Sequence, residues 1–185
     1  MKFIITLILS CSLTISYAQK LKHKEYYDNG NLKVEYSGKK EKPDGIVKIY
    51  YPTGELQGEL MFKKGKQSGI SKIYYQSGKI QKEMIFKDGY QVDTMRIYYE
   101  SGQLHELSIL KNGKKNGSYK SYFENGQLEI EGYTKDNLIH GYCIYYKENG
   151  DIWKKGEYDM GAPIGNWIEY DENGVTSKKY PKPAE

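Results

Sequence analysis

Apolar and polar residues alternate in short runs along most of this chain, and the runs come in pairs. In one pair, Ile70 to Tyr75 and Ile80 to Phe86 are rich in β-branched and aromatic residues and flank a short segment around Gly78. Two such runs about a glycine-bearing turn predict a β-hairpin. The second run has a period of two. Ile80, Met84 and Phe86 fall on one side, as do Leu56, Leu60 and Phe62 one unit earlier, while Glu59 and Glu83 point to the other.

The pairs recur without a slip. Gly30, Gly54, Gly78, Gly102, Gly126, Gly150 and Gly174 stand 24 residues apart. Four positions before each stands a tyrosine: Tyr26, Tyr50, Tyr74, Tyr98, Tyr122, Tyr146 and Tyr170. A fixed period of this length marks a repeat array, whose units bury their apolar faces only by stacking on neighbours. Because a lone hairpin is marginal in water, the units are expected to pair edge to edge. The fold class is therefore all-β, a single-layer twisted antiparallel meander with one hairpin per repeat.

The seven glycines are read as structural turn residues. Asn29-Gly30, Asn125-Gly126, Asn149-Gly150 and Asn173-Gly174 predict type I′ turns, in which both residues take positive φ. A second glycine pair joins successive hairpins, as in Gly65 and Gly69, Gly113 and Gly117, or Gly161 and Gly165; Gly45 and Gly141 keep only the later member. Asp93 replaces that later glycine in one unit, which makes this the weakest joint, since Asp accepts left-handed geometry less cheaply. Lys20, Lys22 and Lys24 at one end, and Pro181 and Pro183 at the other, protect the open edges of the sheet.

Residues 1–18 read differently. A basic start, an apolar run from Phe3 to Leu9 and Ser16-Tyr17-Ala18 predict a signal peptide cleaved after Ala18. The rival is a lipoprotein signal in which Cys11 carries lipid. The organisation expected is a signal peptide at 1–18, an edge segment at 19–25, the repeat array at 26–180 and a tail at 181–185. An exported protein, periplasmic or extracellular, follows, with no segment long enough to span a bilayer. Cleavage leaves Cys143 as the one thiol of the mature chain, either a reactive group or a small half-buried hydrophobe in an Ile-rich strand.

The unit Tyr-Tyr-x-x-Gly-x-Leu resembles the variant MORN repeat, with clear instances at Tyr50-Tyr51-Pro52-Thr53-Gly54-Glu55-Leu56 and Tyr98-Tyr99-Glu100-Ser101-Gly102-Gln103-Leu104. The resemblance runs from about Tyr26 to Tyr180 and drifts late, where Lys147 and Asp171 stand in place of the second tyrosine. The chain is also similar to bacterial YwqK-type antitoxins of toxin-antitoxin modules, which consist of such repeats and little else. The resemblance implies a protein-binding or scaffolding module, with a toxin as partner in the antitoxin case.

Composition fits a thin sheet. The apolar fraction is 38%, low for a globular domain, and tyrosine supplies 20 of the residues, so amphipathic rings must cover much of the surface. The formal charge of +4, which loses only Lys2 with the signal peptide, is too balanced to imply nucleic acid. No cofactor is expected, because the glycine segment at Gly113 lacks the ending that cradles phosphates and His23, His105 and His140 are scattered through the register. Glu59, Glu83 and Glu131 recur at one repeat position, which argues for a solvated strand face over a general acid/base pair. Catalytic and metal residues are therefore none, and the protein is read as no enzyme.

One constellation suggests binding. Lys48, Lys72, Arg96 and Lys120 each stand two residues before an anchor tyrosine, so Lys48 with Tyr50, Lys72 with Tyr74, Arg96 with Tyr98 and Lys120 with Tyr122 share a face. Such a file could meet an acidic protein, an anionic lipid headgroup or an acidic glycan of the cell envelope. The same lysines also serve simply to keep a single-layer sheet soluble. Ile144 and Ile168 end the file in the last two units.

Overall fold

The computed structural model describes residues 22–39 and 41–181. The expected signal peptide, Cys11, Lys20 and Pro183 lie outside the described residues. Among the described residues there is no helix, and strands form one 17-stranded antiparallel sheet. They are β1 (Lys22–Tyr26), β2 (Leu32–Lys39), β3 (Lys42–Pro43), β4 (Gly45–Tyr50), β5 (Leu56–Lys63), β6 (Lys66–Gln67), β7 (Gly69–Tyr74), β8 (Ile80–Lys87) and β9 (Tyr90–Tyr98). There follow β10 (Leu104–Lys111), β11 (Lys114–Tyr122), β12 (Leu128–Lys135), β13 (Leu138–Ile139), β14 (Gly141–Tyr146), β15 (Ile152–Asp159), β16 (Ala162–Asp171) and β17 (Gly174–Tyr180). Each strand pairs with its neighbours in sequence, and the short β3, β6 and β13 are arms that continue into β4, β7 and β14 beyond a bulge. The expected meander of hairpins is the observed fold.

Two kinds of turn alternate, and they exchange the roles expected of them. At the Asn-Gly sites only the glycine takes positive φ, 84° at Gly30 and 87° at Gly126. The N–H of Gly30 bonds to the carbonyl of Tyr27, and that of Tyr27 to the carbonyl of Asn31, which closes a three-residue loop rather than a type I′ turn. Asn is there for its side chain: Oδ1 of Asn29 accepts the N–H of Asn31, and Oδ1 of Asn125 that of Gln127. Paired positive φ occurs at the opposite end, at Lys64-Gly65, Asp88-Gly89, Asn112-Gly113, Asp136-Asn137 and Met160-Gly161. Asp93 does adopt the left-handed conformation of the glycine it replaces, at φ 59°.

The strand alternation is also interrupted once per repeat. Tyr50 lies opposite Leu56 but Ile49 opposite Gly58, so Gln57 is an inserted bulge. Leu60 and Phe62 keep the expected phase, whereas Leu56 falls beyond the bulge and leaves it. Ile80 does the same, opposite Tyr74.

Burial is confined to one face. Tyr36, Val47, Met95, Leu110, Cys143 and Trp167 are buried there with Ser71, Ser108, Ser121 and Thr134. No second layer backs that face among the described residues, so it is shielded by coiling of the sheet about it. Close coiling requires large groups over small ones. The Trp167 ring lies against Gly156, where a Cβ would stand 2.3 Å from the indole, and the Cys143 sulfur would be 3.0 Å from a Cβ on Gly132. Cys143 is fully buried, and desolvation pushes its thiol pKa up, so it serves as a small hydrophobe.

Hydrogen bonds between repeats stitch both rims. The second tyrosine of each early unit donates to the carbonyl of the next anchor tyrosine: Tyr27 to Tyr50, Tyr51 to Tyr74, Tyr75 to Tyr98 and Tyr99 to Tyr122. At the other rim, the N–H groups of Gly65, Gly89, Gly113, Asn137 and Gly161 reach carbonyls of Pro43, Gln67, Gln91, Lys115 and Ile139 in the preceding repeat. The last units substitute aromatic packing. Trp167 meets Tyr158 edge-on at 4.9 Å and Tyr180 at 6.2 Å, which closes the end of the buried row.

Candidate functional site

The face turned away from this core carries the residues singled out in the sequence. Lys48, Tyr50, Lys72, Tyr74, Arg96, Tyr98, Lys120 and Tyr122 all lie on it, because residues two apart on a strand point the same way. They do not form an unbroken file of cations. The register sets Lys24 opposite Glu35, Glu35 opposite Lys48, Lys48 opposite Glu59, Glu59 opposite Lys72, Lys72 opposite Glu83 and Glu83 opposite Arg96. Cation and carboxylate therefore alternate across successive strands. Ion pairs close at 3.5 Å for Lys48 and Glu59, 3.3 Å for Lys72 and Glu83, and 2.7 Å for Lys120 and Glu131. Leu107 interrupts the row between Arg96 and Lys120, and Ile144 follows Glu131.

The tyrosines belong to the same network. The hydroxyl of Tyr50 donates to Glu35 at 3.0 Å, that of Tyr74 to Glu59 at 3.0 Å and that of Tyr98 to Glu83 at 2.9 Å. Desolvation, with the adjoining carboxylate second, raises the pKa of all three and pushes Tyr74 up to about 12. Glu59 and Glu83 each accept both an ammonium and a phenol. The recurring glutamates are thus partners of the lysines, and Glu59 and Glu83 of the anchor tyrosines as well.

Beside the charged row runs an apolar one. Ile46 lies opposite Met61 and Ile70 opposite Ile85, each two residues from a member of the charged row, and further on Thr94 lies opposite Ile109. Ile46 is 46% exposed and Ile70 59%. A shallow depression is lined by Ile46, Met61, Ile70, Glu59 and Lys72, so the two rows share a surface. Sequence reasoning missed this apolar row because it attended to the second strand of each hairpin, whereas Ile46 and Ile70 directly follow the joint glycines Gly45 and Gly69. The paired glutamates had a usable signal: Glu35, Glu59, Glu83 and Glu131 each follow a cation by 11 residues.

Elsewhere the histidines remain apart. His23 stacks on Tyr36, His105 lies tilted against Tyr99, and His140 lies 3.3 Å from Asp159. Among the described residues no group of three or more His, Cys, Asp or Glu gathers as for a metal ion, and no helix is long and apolar enough to cross a membrane.

The geometry of paired tyrosine and glycine, one hairpin per repeat, has a counterpart among known families. The family model of the MORN repeat variant matches residues 21–40, 43–64, 67–88, 94–112 and 115–136, more than half of the chain. The chain belongs to the MORN repeat variant family. The MORN family suggests a protein- or membrane-binding repeat module, and it is non-catalytic. The match ends before the units in which Lys147 and Asp171 depart from the pattern, yet the hairpins continue through β17. No curated protein matches the chain. Among matching solved structures is a crystal structure of the GtfA/B complex bound to UDP and GlcNAc, at 11% identity and a TM-score of 0.21. It covers 85% of this chain but only 26% of that one. A likeness so slight carries neither fold nor ligand to this MORN protein.

Proposed function

We propose that this protein is an exported, non-enzymatic binding or scaffolding module whose outward face engages another protein. The observation that supports it is the apolar row Ile46, Met61, Ile70 and Ile85, exposed at Ile46 and Ile70 and half-buried at Met61 and Ile85, beside the charged row. Isolated exposed apolar residues are ordinary, but a contiguous file rimmed by polar groups marks an interaction surface. The alternative, an envelope protein holding anionic lipid or glycan through Lys and Tyr, draws less support, because the carboxylates between the cations repel an anion. An antitoxin role is the particular case in which the bound protein is a toxin.

Export is part of the proposal and rests on the sequence of residues 1–18. Mass spectrometry of the native protein is expected to find Gln19 at its terminus; an intact Met1 or a lipidated Cys11 would contradict it. For function, the tagged protein is recovered from the envelope of its own cells and its companions are identified. Stoichiometric recovery of one protein supports the proposal, whereas recovery of anionic lipid or glycan alone favours the alternative.

A further inference from the structure

We propose that the outward face joins two copies of this chain in an isologous, face-to-face dimer. The inference rests on the reading of that face as a docking surface and names its occupant. Along the sheet the charged row reads Lys24, Glu35, Lys48, Glu59, Lys72, Glu83, Arg96, one residue per strand. A row that alternates in sign is complementary to itself. A twofold axis parallel to the strands and passing between the Glu59 and Lys72 strands sets Lys72 of one copy over Glu59 of the other, Lys48 over Glu83 and Arg96 over Glu35, while Lys24 falls over Leu107. An axis through a strand would instead face like charges together, so the axis passes between strands, and the one between the Glu59 and Lys72 strands also sets Ile70 over Met61 and Ile46 over Ile85.

The same axis keeps each position along the strands at its own height. The apolar row of one copy then lies on that of the other, and Ile46, Met61, Ile70 and Ile85 withdraw from water as in the aligned packing of two sheets. No other partner is required to satisfy both rows at once. Because the sheet coils about its buried face, the outward face is convex and the contact centres on the strands next to the axis, β4 to β8, which carry the apolar row. The apolar row supplies the driving force, and the charged row, whose ion pairs are weak at an exposed surface, sets the register.

The test is sedimentation velocity of the purified protein from low micromolar to about a hundred micromolar, with Ile70→Lys and, as control, Leu138→Lys. Leu138 is comparably exposed, at 43%, but stands in the turn arm β13, away from the apolar row. Wild type and Leu138→Lys are expected to pass from monomer to dimer, and Ile70→Lys to associate about tenfold or more weakly while melting like wild type. Ile46→Glu, on the neighbouring hairpin, is expected to repeat the effect and guards against a folding defect in the first variant. A monomer at every concentration, or a dimer untouched by both variants, would overturn the inference. Should a monomeric protein still recover an envelope partner through this face, the docking reading stands and the dimer falls.

Discussion

The hydroxyl of Tyr99 donates a 2.8 Å hydrogen bond to the backbone carbonyl of Tyr122, and one repeat later Phe123 occupies the donor position with no hydroxyl to give. The bond ties a loop of one repeat to the strand end of the next, so the array is tighter before Tyr122 than after it. Nearest-neighbour coupling of this kind governs the stability of repeat proteins. Tyr99→Phe is expected to cost about 1 kcal/mol, the usual net worth of such a bond. Phe123→Tyr is expected to add a similar amount by extending the series. Chemical denaturation of both variants checks the pair, and equal losses in the two would contradict the assignment.

Gly126 takes φ 87° in its three-residue loop, and a Cβ placed there would meet only the side-chain oxygen of Gln103, at 3.9 Å. Strain from backbone angle, and not from crowding, should therefore decide the effect of substitution. Gly126→Val forces a β-branched residue into the left-handed region and is expected to cost about 1–3 kcal/mol. Uncoupled repeats on either side should broaden or split the thermal transition. A sharp transition at the wild-type temperature would show the loop to be misassigned.

Asp93 holds the left-handed conformation at φ 59° where Gly69 and Gly117 stand in neighbouring units. Asp93→Gly is expected to stabilise the protein by about 1 kcal/mol, since a residue with a Cβ is strained there. Loss of the contact from Thr94 Oγ1 to Asp93 Oδ1, 2.8 Å and exposed, should offset little of this gain. A fall in melting temperature would show that the joint depends on the aspartate side chain.

Tyr50, Tyr74 and Tyr98 have pKa values raised by burial and by their carboxylate neighbours, Tyr74 to about 12. A folded-state pKa above the unfolded value of about 10 contributes stability that is complete below pH 10 and is lost as pH rises toward the folded value. Melting temperature is expected to fall between about pH 10 and 12 more steeply in wild type than in Tyr74→Phe. Identical alkaline slopes would place the titration elsewhere.

The period of 24 made the meander legible, because tyrosine and glycine agree in every unit and no competing pattern interferes. Turn chemistry was harder to read. Asn-Gly suits a type I′ turn, but the bulge at Gln57 and its counterparts shifts the register by one residue, so Asn29 and Asn125 accept N–H bonds through their side chains instead. The candidate face was half legible. Lys48 and Tyr50 are two apart on one strand and visibly share a side, whereas Glu59 joins them only through the hairpin register, which depends on that bulge. Ile46 and Ile70 escaped notice because alternation alone does not tell which face of an unbacked sheet the coil will bury.

The most direct measurement of the account compares envelope recovery by wild type, by Ile46→Lys/Ile70→Lys, and by Lys48→Gln/Lys72→Gln/Arg96→Gln/Lys120→Gln. The exposed positions of all three proteins should leave the fold nearly intact, since surface charges contribute little to stability. The apolar row is expected to carry the binding, so the double isoleucine variant loses the partner while the glutamine variant retains it with slower association, as charges outside the core of an interface act mainly on the encounter. Full recovery of the partner by the isoleucine variant would contradict the claim that this face is where the protein binds.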